Sequence, residues 1–298
     1  MIDFLEETHM SGEVVLKIEG LSKSFGKNKV LNNINLQVKK GTVMGLMGEN
    51  GAGKSTMMKC LFGIYAKDDG NFYLEGNPID FTSPKDALEN GVAMVHQELN
   101  QCLERTVADN LFLGRYPTKY GKKKKKKMQE ESTKLFNSLN MTVNPKTVMK
   151  TMSVSNRQMV EIAKAVSYDS KIIVLDEPTS SLTEREVKKL FKIVNDLKAK
   201  GVSFIYISHK MDEIFEICDE VSVLRDGEMI LTKSTKETNM NELISAMVGR
   251  SLNQRFPEID NKPGETILKI SNLNTKYAPN LKEINLEIKK GEIFGLYG

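Results

Sequence analysis

The fold is decided by the stretch Gly48-Glu49-Asn50-Gly51-Ala52-Gly53-Lys54-Ser55, which matches the pattern G-x-x-x-x-G-K-[ST] at every fixed position. An apolar run, 43–47, precedes it, and residues 56–62 after it are predicted to form a helix. The glycines let the backbone curl so that successive N–H groups point at a phosphate chain, and the helix N-terminus adds partial positive charge. A glycine-rich turn without a ligand is disfavoured, because Lys54 and Ser55 fall in register with the glycines.

The motif gives its residues candidate roles in ATP binding. Lys54 can reach the β- and γ-phosphates, and the Ser55 hydroxyl can hold Mg²⁺. Their neighbours supply backbone N–H groups around the phosphates. The candidate ATP-binding residues of this segment are Gly48, Glu49, Asn50, Gly51, Ala52, Gly53, Lys54, Ser55 and Thr56.

An acidic pair ends the short apolar strand predicted over 171–175. There Asp176 would hold Mg²⁺, directly or through water, and Glu177 would polarise the attacking water as general base. The alternative is a pair of surface acids at a strand end. The segment Pro178-Thr179-Ser180-Ser181-Leu182 that follows favours the catalytic interpretation.

Two further polar residues follow predicted strands. Gln97 lies near the end of the apolar run 91–98 and is predicted to contact Mg²⁺ or the attacking water. His209 follows the strand predicted over 202–207 and is predicted to reach the γ-phosphate. A lone Gln or His is usually structural, but a position at a strand end beside the other groups favours a role in the site.

One aromatic side chain is a further candidate ligand. Phe25 is predicted to stack on the adenine ring, although an aromatic residue after a strand is common. His9 and His96 have no comparable sequence context, and no role is assigned to them.

The composition is that of a soluble globular protein, with 40% hydrophobic and 28% charged residues. The net charge of +4 is small, and the six lysines of the run Lys122–Lys127 carry more positive charge than this total. No nucleic-acid partner is therefore predicted from the net charge. Cys60, Cys102 and Cys218 lie far apart, which predicts reduced thiols in a cytosolic protein. The acidic N-terminus predicts no signal peptide. No apolar run approaches the ~18–20 residues of a membrane span, so a partner would bring the chain to a membrane.

The run Lys122–Lys127 has two interpretations. It is either a basic patch for anionic lipid or nucleic acid, or a solvated, mobile loop between two helices. The run has neither interleaved aromatic residues nor a helical face pattern, which favours the loop.

Buried strands that alternate with helices predict an α/β fold with a parallel core. A β-rich, antiparallel part comes first, and a helical insertion separates Gln97 from Lys171. The predicted strands are 14–18, 33–38, 42–47, 71–74, 91–98, 171–175, 202–207, 221–224 and 229–231. The predicted helices are 56–62, 107–113, 128–139, 156–166, 183–200 and 239–248.

The segment Gly12–Gly48 recurs at Gly264–Gly298, where for example Leu268-Lys269-Ile270 matches Leu16-Lys17-Ile18. A repeat at this distance indicates a duplicated domain. The sequence therefore predicts a truncated protein, with its second copy expected to be poorly ordered or docked as a hairpin. The predicted divisions are a tail over 1–13, a first domain over 14–250, a linker over 251–264 and the start of a second domain over 265–298.

The chain resembles ATP-binding-cassette (ABC) proteins. The phosphate loop, Gln97, the segment Met152–Gln158, Asp176-Glu177 and His209 follow one another in the order and spacing of that family. Within it, the sequence is most similar to the ATP-binding subunits of bacterial monosaccharide importers, of the galactose/methyl galactoside type. This closer resemblance is carried by the segments Met47–Ser55, Val95–Asn100, Gly114–Lys119 and Met247–Pro257.

The sequence departs from the family pattern at the signature loop. Leu-Ser-Gly-Gly-Gln is here Met152-Ser153-Val154-Ser155-Asn156, without either glycine. The resemblance makes Ser153 and Ser155 candidates for nucleotide contact, across the site of a second domain. Thr183 stands where the family usually has Asp, at a position that the resemblance assigns to the contact between sites.

The resemblance implies a P-loop NTPase core of the ABC ATPase type, with an N-terminal antiparallel β subdomain and an inserted helical subdomain. It implies ATP and Mg²⁺ as cofactors, and hydrolysis coupled to sugar import at the cytoplasmic face of the membrane. The implied partners are transmembrane permease subunits, a second ABC domain or another copy and, indirectly, a sugar-binding protein. The alternatives are a soluble twin-cassette ATPase of translation or DNA repair and an ATP-binding fragment without activity of its own.

Overall fold

The computed structural model describes residues 12–97, 99–119, 122–249, 263–276 and 281–296. The chain divides into two compact units, residues 1–251 and 252–298. The tail predicted over 1–13 and the linker predicted over 251–264 lie almost wholly outside the described residues. Within the described ranges, every helix is too short or too polar to cross a bilayer.

The helices and strands alternate along the first unit. Its helices are α1 (Lys54–Leu61), α2 (Pro84–Glu89), α3 (Val107–Leu111), α4 (Lys125–Ser138), α5 (Val154–Val166), α6 (Glu184–Lys198), α7 (Met211–Ile217) and α8 (Met240–Val248). Its strands are β1 (Val14–Phe25), β2 (Asn28–Lys39), β3 (Val43–Met47), β4 (Asp69–Leu74), β5 (Asn77–Ile79), β6 (Val92–Val95), β7 (Thr118–Lys119), β8 (Lys122–Lys123), β9 (Ile172–Asp176), β10 (Ser203–Ile207), β11 (Glu220–Arg225) and β12 (Glu228–Ser234).

Two sheets organise this unit. The first is antiparallel, with the order β2-β1-β4-β5, and the second has the order β12-β11-β3-β10-β9-β6. In the second sheet β11, β3, β10, β9 and β6 run parallel, whereas β12 pairs antiparallel with β11. The α3–α5 insertion falls between β6 and β9. The predicted α/β fold, with an antiparallel part first and an inserted helical part, is therefore confirmed.

Each face of the second sheet covers a separate hydrophobic core. Along β10, Phe204 and Tyr206 pack into one core, and Ile205 and Ile207 pack into the other. Successive side chains of a strand point to opposite faces, so a strand buried on both faces must be apolar throughout. This explains why β3 and β10 are uniformly buried, whereas β2 alternates between buried and exposed positions.

The prediction of a loop over Lys122–Lys127 is wrong. Lys122 and Lys123 form β8, and α4 begins at Lys125, three residues before the predicted start at Met128. Lysine is a good helix former. The helix is held in place because Met128, Ser132 and Phe136 recur on one buried face, four residues apart.

The second unit repeats the strand pairing of the first. Its described elements are β13 (Thr266–Leu273) and β14 (Ile284–Lys289), which pair antiparallel. In this pair Leu268 lies opposite Ile288, as Leu16 lies opposite Val38 in the first unit. The internal repeat thus extends to the register of the hairpin, whereas its last residue, Gly298, lies outside the described range.

Candidate nucleotide-binding site

The candidate site lies at the carboxyl edge of the second sheet. The phosphate loop follows β3, His209 follows β10, Asp176 ends β9 and Gln97 follows β6. These four strands are parallel neighbours in the order β3-β10-β9-β6, so their carboxyl ends lie side by side. Open parallel sheets bind ligands at this edge.

The phosphate loop needs glycine at two positions for steric reasons. Gly48 has φ 154° and Gly53 has φ 111°, both in the region that L side chains rarely adopt. A Cβ atom on Gly48 would lie 2.2 Å from the carbonyl oxygen of Leu224, and one on Gly53 would lie 2.7 Å from Leu31 Cδ2. Only glycine therefore lets the loop pass this closely over β2 and β11.

The loop and the start of α1 form a site suited to an anion. Gly53 caps α1 without a side-chain hydrogen bond, and the first turn contains no acidic residue. Within the described ranges, the backbone N–H groups of Gly51, Gly53 and Lys54 donate to no protein acceptor. Unpaired N–H groups at a helix N-terminus, together with the helix dipole, favour phosphate oxygens.

Lys54 closes over this loop. Its Nζ donates to the carbonyl oxygens of Gly48 at 2.6 Å and Glu49 at 3.0 Å. Burial lowers the pKa of Lys54, and the carboxylates of Glu177 and Asp176 oppose that effect. A bound phosphate would replace the two carbonyl acceptors with oxygens of full negative charge, which lysine prefers.

Oxygen ligands suited to Mg²⁺ face the same cleft. Ser55 and Asp176 both line a cavity of about 420 Å³. Burial and, secondly, the neighbouring Glu177 raise the pKa of Asp176. The described residues contain no group of three or more His, Cys, Asp or Glu side chains able to hold a metal ion. This donor set fits Mg²⁺, which is usually held by one or two protein oxygens, waters and nucleotide phosphates.

Two of the predicted site residues, Gln97 and His209, meet at a third, Glu177. Its carboxylate accepts a hydrogen bond from Gln97 Nε2 at 3.2 Å and lies 2.9 Å from His209 Nδ1. The Glu177 backbone is left-handed, with φ 45°, and its N–H donates to the carbonyl oxygen of Ile207. The Glu177 carboxylate is thus oriented by a group from each neighbouring strand end.

The two signature-loop serines lie elsewhere, at the start of α5. Ser153 caps this helix by accepting from Asn156 N at 3.3 Å. Ser155 is buried, and it is one of the groups that lower the pKa of Glu186 on α6, after the backbone and side chain of Thr183. Across the described residues, neither serine forms a hydrogen bond with the phosphate loop, and their predicted contact with a nucleotide in a second site stays a prediction.

Phe25 has an aromatic partner that the sequence did not indicate. Its ring is 45% exposed and meets Tyr65 edge to face, with ring centres 5.2 Å apart. Tyr65 fixes the orientation of Phe25 without covering it, which suits a platform for a planar base. Tyr65 was missed because it follows α1 in a segment without any motif.

His96 was also missed as a site residue. It lines the cavity with Ser55 and Asp176, and its proximity opposes the rise in the pKa of Asp176. The available signal was its place directly before Gln97, at the carboxyl end of β6.

Comparison with known proteins agrees with this geometry. The family model described as ABC transporter matches residues 31–180. The galactose/methyl galactoside import ATP-binding protein MglA of Treponema denticola is 71% identical over 286 residues, which cover 96% of this chain and 58% of that protein. The protein of the same name from Escherichia coli (strain K12) is 53% identical over 98% of this chain and 58% of its own length. The chain thus spans little more than half the length of these relatives.

Solved structures give the same fold. The ADP conformation of MJ1267, an ATP-binding cassette of an ABC transporter, superposes with a TM-score of 0.70 and 26% identity. The match covers 80% of this chain and 99% of that one. A nucleotide-free ATP-binding cassette from an ABC transporter gives a TM-score of 0.68 at 26% identity, covering 80% and 96%.

Proposed function

Because the chain belongs to the ABC transporter family, we propose that its first unit binds and hydrolyses Mg-ATP to power the import of a monosaccharide. The observation that carries the proposal is the meeting of Gln97 and His209 on the Glu177 carboxylate, at the sheet edge that the phosphate loop shares. This arrangement supports hydrolysis rather than binding alone, because the general base is already oriented.

Each group of the site has a proposed task. The loop N–H groups and Lys54 bind the phosphates, and Ser55 and Asp176 hold Mg²⁺, which neutralises phosphate charge. Glu177 accepts a proton from the attacking water, and Gln97 and His209 keep its carboxylate in place. Phe25 stacks on the base.

The proposed cargo and partners follow from the relatives. Both similar proteins carry a name that specifies galactose/methyl galactoside import, which supports a sugar of that type. Import would require permease subunits, a second ABC domain or another copy of this chain, and indirectly a sugar-binding protein. The chain would then work at the cytoplasmic face of the membrane as a peripheral subunit.

The test measures Mg-ATP affinity and turnover of the wild-type chain, of Glu177→Gln and of Glu216→Gln, a control with an exposed side chain on α7. We expect all three to bind Mg-ATP and turnover of the isolated chain to be slow, because the signature loop that covers this site belongs to another domain. Glu177→Gln should lower turnover by roughly a hundredfold or more without weakening binding. Absence of Mg-ATP binding by the wild-type chain would refute the proposal.

The dependence of turnover on protein concentration shows whether the active species is one chain or a pair of chains. Turnover that rises steeply with concentration and disappears in Glu177→Gln would indicate that two copies pair. Turnover per molecule that is fast and independent of concentration would contradict the need for a second domain.

A further inference from the structure

Glu213, in the first turn of α7, is a buried acid that the candidate site does not yet include. The residue is 8% exposed, and both carboxylate oxygens accept hydrogen bonds. Thr179 Oγ1 donates at 2.6 Å to Oε1 and 2.8 Å to Oε2, Tyr206 OH donates to Oε2 at 2.7 Å, and Ser208 Oγ lies 3.3 Å from Oε2. Lys210 Nζ lies 3.0 Å from Oε1.

Except for Tyr206, which lies in β10, these donors come from the two loops that carry Glu177 and His209. Thr179 lies two residues after Glu177, and Ser208 and Lys210 flank His209. Lys210 Nζ also lies 3.2 Å from Thr179 Oγ1, and the Lys210 N–H donates to Ser208 Oγ at 3.1 Å. One carboxylate therefore fastens the loop after β9 to the loop after β10.

The loop after β9 needs such support. Glu177 has φ 45°, a left-handed conformation that is strained for a residue with a side chain. Strained backbone persists where the surrounding structure fixes it on several sides. Thr179 and Ser208 are both buried, so water cannot replace Glu213 as their partner.

Glu213 is ionised at neutral pH despite its burial. Burial by itself raises the pKa of the carboxyl group, but the hydrogen bonds from Thr179, Tyr206 and Lys210 together lower it below its ordinary value. The same contact, together with burial, raises the pKa of the Tyr206 phenol, which stays a donor.

We propose that Glu213 is a positioning residue. It keeps Glu177 and His209 in their relative positions by binding the loops on which they lie. This inference rests on the proposed ATP hydrolysis. The inference adds to the hydrolytic site a residue that touches neither nucleotide nor metal. This residue acts through Thr179, Ser208 and Lys210.

The substitution Glu213→Gln tests the carboxylate specifically. Either orientation of the amide puts an NH₂ group where an oxygen now accepts from two or more donors. The matched control is Glu216→Gln, the same change on the same helix at an exposed side chain.

The primary measurement is amide hydrogen exchange without nucleotide. We expect Glu213→Gln to speed exchange about tenfold or more in segments 177–182 and 207–211, and much less in β1 and β4. Glu216→Gln should match the wild-type chain. If exchange became faster by the same factor in all segments, Glu213 would only stabilise the fold as a whole, which would contradict a positioning role. Unchanged exchange in the two loops would overturn the proposal.

Thr179→Val and Thr179→Ser keep the test decisive if Glu213→Gln does not fold. Valine removes the shared donor and should speed exchange in the same two segments, whereas serine retains the hydroxyl and should resemble the wild-type chain. Wild-type exchange in Thr179→Val would contradict the proposal.

A kinetic measurement tests whether the positions of the two loops affect the rate of ATP hydrolysis. Glu213→Gln should keep the Mg-ATP Kd within about twofold and lower the single-turnover rate about tenfold or more, because only the reacting geometry changes. An equal loss in both quantities would contradict a positioning role. If the wild-type chain does not bind Mg-ATP, the proposed function fails, and exchange alone decides whether Glu213 fixes the loops.

Discussion

At the scale of single residues, Phe25 is the side chain whose proposed role separates base recognition from phosphate binding. Its exposed ring packs edge to face against Tyr65. We predict that Phe25→Ala weakens ATP binding about tenfold, because stacking of a base contributes roughly 1–3 kcal/mol. Calorimetry should show unchanged affinity for inorganic triphosphate, and Phe25→Tyr should bind ATP normally. A parallel loss of triphosphate affinity would show that Phe25 supports the loop instead.

Glu213 should also make stability depend on pH in a defined direction. Its folded-state pKa lies below the unfolded value of 4.5, so its ionised form favours folding. That contribution is complete above about pH 4.5 and is lost as the pH falls through the folded pKa. Urea denaturation should show Glu213→Gln less stable than wild type by roughly 1–3 kcal/mol at pH 7, with the gap narrowing below pH 4.5. A gap that widens in acid would refute this, and Glu216→Gln should show neither effect.

The residues proposed to bind or hydrolyse ATP could be proposed from the sequence because each lies in a recognisable local pattern. The phosphate loop is one uninterrupted motif, and Gln97, Glu177 and His209 each end an apolar run. Glu213 and Tyr65 have no such mark. Glu213 gains its meaning from Thr179, 34 residues away, and only the packing of α7 under the two loops brings them together.

At the scale of elements, the positive charges in the first turn of α4 are unfavourable with the dipole of that helix. No acidic residue lies in its first turn, which Lys125, Lys126 and Lys127 occupy, and Lys124 caps it without a side-chain hydrogen bond. We predict that Lys126→Glu raises the free energy of unfolding by roughly 0.5–1 kcal/mol, because an acid at a helix N-terminus complements the dipole.

The control for that prediction is Lys192→Glu, the same charge change at an exposed position in the middle of α6. It should give a smaller effect in the same urea titration, since the dipole acts only over the terminal turns. Equal effects of both substitutions would assign the gain to total charge rather than to the start of α4.

Long amphipathic helices and buried strands were predictable at this scale because their periodicity extends over several turns or the whole strand. The α6 pattern and the apolar β10 run are of this kind. By contrast, α2 and α7 span 6 and 7 residues, too few for a period of 3.6 to be recognised. The start of α4 was misjudged because six consecutive lysines carry no hydrophobic pattern, and the buried face is defined only from Met128 onward, by Met128, Ser132 and Phe136.

At the scale of the whole molecule, the repeat in the sequence predicted more than the duplication itself. It predicted that a second copy of the first hairpin exists, and β13 and β14 place equivalent positions of the repeat opposite one another, as β1 and β2 do. What the repeat could not indicate is which unit carries a complete core. That depends on helices and strands far from the hairpin in sequence, such as α1 and β10, which supply Met57 and Ile205 to the core beside β1.

Both hydrophobic cores consist of residues from the first unit, which leads to a prediction for the chain without residues 252–298. That shortened chain should bind Mg-ATP with unchanged Kd and unfold within about 2 °C of the full chain, a difference below roughly 1 kcal/mol. A chain ending at residue 238 is the control, because it also loses α8 and with it Leu243, which is fully buried in the core. It should unfold at a clearly lower temperature in the same calorimetric scan. A comparable loss of stability or affinity in the first deletion would mean that the second unit contributes to the folding of the first.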